Sequence, residues 1–116
     1  MEAPLLEIDQ TLTAFAKRCG MELSRNYHDW PERSLTWGSD VRRLIQIYLE
    51  NEKMMTWNIW LCASYDRGTE RFWRRQFLKR AVPFQMIHSN LEPLLEEARK
   101  IVTAWSERDL ERIGED

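Results

Sequence analysis

A few residue types in this 116-residue chain stand where chemistry could be done. His28 and Asp29 are adjacent, the pairing that general-base chemistry uses when the carboxylate orients the imidazole. Neighbouring loop residues point apart, so this pair reads as loop polarity, and His88, the one other histidine, reads as a local hydrogen-bonding group. Glu92, Glu96 and Glu97 offer paired carboxylates, but Glu96 and Lys100 fall four apart on a helix, the spacing of a solvated surface pair. Cys19 and Cys62 lie in apolar surroundings with no CxxC or Cys/His spacing, which reads as two reduced thiols and no metal centre. Glycines 20, 38, 68 and 114 are isolated at element ends, so no phosphate-cradling loop is present and no cofactor is expected. No serine sits in a nucleophile elbow, and the chain is read as non-enzymatic.

The densest feature is the segment 67–80. Arg67, Arg71, Arg74, Arg75, Lys79 and Arg80 stand against Glu70 alone and interleave with Phe72, Trp73 and Phe77. Cations for phosphates and ring planes for bases are what single-stranded nucleic acid binding uses, with Arg71, Arg74, Trp60, Trp73 and Lys79 as its candidate residues. Against it, no ribonucleoprotein-type motif accompanies the segment, and residues 91–116 carry eight acids to four bases, enough to pair with it. The whole chain, with 17 basic and 19 acidic residues, is too balanced for a surface built around a phosphate backbone.

The elements that must position these residues follow from periodicity. Leu5, Ile8, Leu12, Phe15 and Cys19 recur at three and four, predicting a helix over 4–19 that Gly20 ends. The polar stretch 24–34, with Trp30 and Pro31, reads as a loop, and 34–37 as a short strand turning at Gly38-Ser39-Asp40. Alternation predicts strands over 41–50 and 56–65. Asp66-Arg67-Gly68 suits a hairpin turn, which favours a strand over a helix for 69–79. Phe84, Ile87, Leu91, Leu94, Ala98, Ile101 and Trp105 mark a helical stripe, with a short turn at 83–89, Asn90 as N-cap of a helix over 90–108, and 109–116 frayed.

The order α-β-β-β-β-α predicts a single-domain α+β two-layer sandwich: a four-stranded antiparallel meander with the N- and C-terminal helices on one face. Pairing Ile47 with Ile59 and Leu61 with Trp73 collects Ile45, Ile47, Leu49, Trp57, Ile59, Leu61, Trp73 and Phe77 beneath the helices. Arg75 then points inward, a dissonance that a bulge would remove. The opposite face would hold Tyr48, Trp60, Phe72 and Arg74, with Arg74 stacked on Trp60, and nothing but the Trp30 loop to cover it. That composition predicts a protein-binding surface, with a homodimer as its simplest use. A third reading puts a small-molecule cleft near His28, Asp29, Trp30 and Trp37. With no secretory leader and no apolar run of membrane-spanning length, a cytoplasmic setting is expected.

Overall fold

Leu5, Ile8, Leu12 and Phe15 bury one stripe of an α-helix, α1 (Ala3–Cys19). It ends as expected: Gly20 takes φ 68°, and the Met21 N–H reaches back to the Ala16 carbonyl at 2.7 Å, the closing bond of a Schellman motif. The computed structural model describes residues 3–26 and 32–114. Beyond α1 come β1 (Glu22–Asn26), β2 (Glu32–Trp37), β3 (Arg42–Asn51), β4 (Thr56–Arg67), β5 (Glu70–Pro83), α2 (Phe84–Ser89), α3 (Leu91–Ala104), a short 3₁₀ turn (Glu107–Asp109) and β6 (Glu111–Gly114). The strands form one antiparallel meander in chain order.

The two-layer α+β sandwich is therefore present, with a strand added at each edge. Ser24, Arg25 and Asn26, expected in the 24–34 loop, belong to β1 and pair with β2, and residues 111–114, expected to fray, pair with β5. One hydrophobic cluster joins α1, α2 and α3 to the inner face of Leu35, Ile45, Ile47, Leu49, Trp57, Ile59 and Leu61. Strand 69–79 is borne out, and Ile47 does face Ile59.

Leu61, however, faces Gln76 rather than Trp73. The hairpin loop is Gly68-Thr69, with Arg67 opposite Glu70 and Gly68 at φ 64°, the two-residue turn that needs glycine at its first central position. The three-residue displacement is odd, so the β5 side chains from the turn to Phe77 change face. Phe72, Arg74 and Gln76 turn toward the helices, while Trp73, Arg75 and Phe77 turn away. Two further irregularities in β5, between the partners of Trp57 and Ile59 and of Ile59 and Trp60, let Val82 return opposite Trp57.

The first of those irregularities holds Ala81 at φ 51°, a left-handed conformation that costs a residue with a Cβ about 1–2 kcal/mol. Ala81→Gly is expected to raise stability by about 0.5–1 kcal/mol in urea denaturation, the lost strain exceeding glycine's entropy. A loss of stability would mean the bulge does not hold that φ in solution.

The C-terminal helix ends at Ala104 rather than at 108. The inward Arg43 guanidinium donates to the Val102 carbonyl and, at 2.9 Å, to that of Trp105, closing the negative end of α3. Asn90 precedes α3 as expected but does not cap it: its Nδ2 donates to the Met86 carbonyl at 3.0 Å and closes α2 instead. Ser106 and Asp109 form a reciprocal capping box that redirects the chain into β6. The hydrogen bond from the Ser106 N–H, more than its hydroxyl, holds the Asp109 carboxyl below its ordinary value. A depressed carboxyl stabilises above its unfolded pKa, and that contribution fades as pH falls through the folded value. Amide exchange along β6 is thus expected to quicken first below about pH 3.9, the unfolded Asp value. Unchanged exchange in acid would separate β6 from the capping box.

Candidate functional site

The sheet face turned away from α1–α3 is where the reactive and aromatic side chains gather, and no helix among the described residues lies over it. Its geometry follows row by row from the register. Ser24, Ser34, Gln46, Trp60 and Phe77 form a central row across five strands. On one side of it runs the row Glu22, Thr36, Leu44, Cys62 and Arg75; on the other, Glu32, Tyr48 and Asn58, meeting β5 at the Arg80-Ala81 bulge.

Trp60 is the fixed point. Its ring stacks on Phe77 with centroids 3.8 Å apart and planes at 27°. Its indole N–H donates to the Tyr48 hydroxyl at 2.6 Å. The Arg75 guanidinium sits 4.7 Å from the centroids of both Trp60 and Trp73, and that of Arg80 4.4 Å from Phe77. Each exposed cation–ring contact is worth about 0.5–1 kcal/mol, so the row is ordered before any partner arrives. Asn58 anchors it from below: Nδ2 donates to the Tyr48 hydroxyl and to Glu50 Oε1, both at 3.0 Å, while Oδ1 accepts from the Ala81 N–H at 2.8 Å. Gln46 Nε2 ties β3 to Glu32 Oε2 at 2.9 Å.

Of the residues expected on this face, Tyr48 and Trp60 are here and in contact. Phe72 and Arg74 are not: Phe72 stacks on Tyr65 against the core, centroids 4.8 Å apart, and Arg74 lies 4.6 Å over Trp105. The arginine that meets Trp60 is Arg75, and an inward Arg75 is the one sign in the sequence that the expected β5 register is inverted. Trp73, expected in the core, is outward with Arg75, and Phe77, expected beside it, is outward against Trp60. Of the nucleic-acid candidates, Arg71 is exposed and paired with Asp66 at 3.0 Å, and Lys79 is exposed opposite Ile59, so Arg71, Arg74, Trp73 and Lys79 do not share one surface.

His28, Asp29 and Trp30 lie outside the described residues. Trp37 packs partly against the core and borders an open depression of about 700 Å³ floored by Thr36, Leu44, Cys62 and Ser64. Burial pushes the Cys62 thiol up, and the Arg75 guanidinium offsets this in part. A thiol so held is a weak nucleophile at neutral pH. Glu96 bonds Arg99 and lies 3.9 Å from Arg18, a surface network in place of the expected Lys100 pair. Among the described residues no cluster of three or more His, Cys, Asp or Glu is arranged to hold a metal ion, and no helix is long and apolar enough to cross a membrane.

One pair escaped the sequence reading altogether. Arg33, on the inner face of β2 and 1% exposed, donates to both carboxylate oxygens of Asp9 on α1 at 2.7 and 3.0 Å, and Arg25 of β1 lies 3.9 Å from the same carboxylate. Nothing local in sequence signals it, since the partners are 24 residues apart. No protein-family model, no curated protein and no solved structure matches this chain.

Proposed function

We propose that the chain is a non-enzymatic protein-binding domain that works through the outer face of its sheet. One observation carries the reading: Trp60 is held by Phe77, Arg75 and Tyr48 on a sheet face that no described helix covers. Trp, Tyr and Arg dominate the binding energy of protein interfaces, and side chains already locked in place lose little entropy on association. The same locking disfavours single-stranded nucleic acid. The Trp60 ring is engaged by Phe77 and Arg75, and a base stacking on it would have to displace one of them. A cytoplasmic setting is proposed alongside, supported by Cys19 and Cys62 both being free thiols.

A photo-crosslinking amino acid at Ser64, on the rim of the outer face, should yield a discrete protein adduct in the native host. The same probe at Glu92, on the helical side, should not. The reading fails if the Ser64 probe gives no adduct beyond that of the Glu92 control. Tryptophan quenching by an oligonucleotide at low salt, lost steeply as salt rises, would put nucleic acid in its place.

A further inference from the structure

The outer face is lopsided in both charge and height, and this says what covers it. In one row Glu22 stands at the β1 end and Arg75 at the β5 end; in another Glu32 stands on β2 and Arg80 on β5. The central row rises from Ser24 and Ser34 to Trp60 and Phe77. The β1–β2 side is low and acidic. The β4–β5 side is tall and basic.

We infer that the occupant is a second copy of this chain, packed face to face about a two-fold axis that runs parallel to the strands over β3. This rests on the outer face being the binding surface. Such an axis exchanges the two sides. It lays Trp60 and Phe77 of one copy over Ser34 and Ser24 of the other, and brings Arg75 over Glu22 and Arg80 over Asn26, next to Glu32. A two-fold perpendicular to the strands would instead set tall on tall and like charge on like charge, which is unfavourable. The product of the parallel axis is a two-sheet sandwich of the kind that packs about 10 Å apart.

Analytical ultracentrifugation of the full chain and two charge reversals tests it. The wild type should sediment as a dimer at micromolar concentration. Glu22→Arg and Arg75→Glu, each with unchanged far-ultraviolet circular dichroism, should sediment as monomers, because each sets like charges together twice. Their equal mixture should return to dimer, since position 75 of each copy then opposes the opposite charge at position 22 of the other. A strictly monomeric wild type overturns the inference, while an adduct of the Ser64 probe with another protein leaves the sheet-face reading standing. Single reversals that stay dimeric overturn the axis. If Trp60→Glu also stays dimeric, self-association lies off this face and the inference falls entirely.

Discussion

Asp9→Leu is expected to destabilise the fold by about 3–5 kcal/mol, the loss typical of breaking a buried ion pair from one side. Arg33 is fully enclosed, with no exposed side-chain surface, and its guanidinium meets both oxygens of the Asp9 carboxylate in parallel. Leucine would take the Asp9 carboxylate and its two hydrogen bonds away from a cation held in the core between α1 and the sheet. Removing both charges should be far milder. In Asp9→Leu/Arg33→Met the buried cation is gone and two apolar side chains of similar bulk remain, so urea denaturation should recover most of the deficit. A single-variant cost under about 1 kcal/mol would mean that the Asp9 carboxylate is not what holds the Arg33 charge in the core. The pair also bears on the binding face. With Arg33 turned inward, Glu32 and Ser34 on either side of it must turn outward, so Asp9 helps set the low, acidic side.

The second large effect is expected at Asn58. This side chain is 3% exposed and uses both ends of its amide, accepting from the Ala81 N–H and donating to Tyr48 and Glu50. Asn58→Leu keeps the volume and deletes all three bonds. One stranded backbone donor in a partly buried bulge costs about 1–3 kcal/mol, and the freed Tyr48 and Glu50 bring the total to about 2–4 kcal/mol. Loss of Asn58 should also loosen the aromatic row, because the Tyr48 hydroxyl that holds the Trp60 indole is one of its partners. Near-ultraviolet circular dichroism should therefore weaken more than the backbone signal in the far ultraviolet. If both fall together, or neither changes, Asn58 does not order the outer face.

Much of the architecture was legible in the residues because it depends on neighbours three, four or two positions apart. Leu5, Ile8, Leu12 and Phe15 declare a helix, Gly20 its end, and Ile45, Ile47 and Leu49 a strand with one buried side. The pairing of β3 with β4 followed from that alternation across a short loop. β1 was hidden because Leu23 is the sole apolar residue between Glu22 and Asn26, and β6 because Glu111-Arg112-Ile113-Gly114 has too little alternation to stand apart from a tail. Gly68-Thr69 does carry the signature of a two-residue loop, but Asp66-Arg67-Gly68 suits a turn as well, and the choice between them is an odd shift in register.

That shift separates the two sources of information about the candidate site. By itself the amino-acid sequence determined that a helical layer covers one face of an antiparallel sheet, and that the other face holds Tyr48 and Trp60, since periodicity is a property of adjacent residues. Which arginine meets Trp60, and whether Trp73 and Phe77 are core or surface, only the tertiary structure decided. Facing in β5 depends on where the turn closes and on the bulge held by Asn58, and one odd displacement inverts the side chains from the turn to Phe77. Asp9 and Arg33 are the extreme case: two charges with ordinary surface spacing become a buried pair only because α1 is laid across β2.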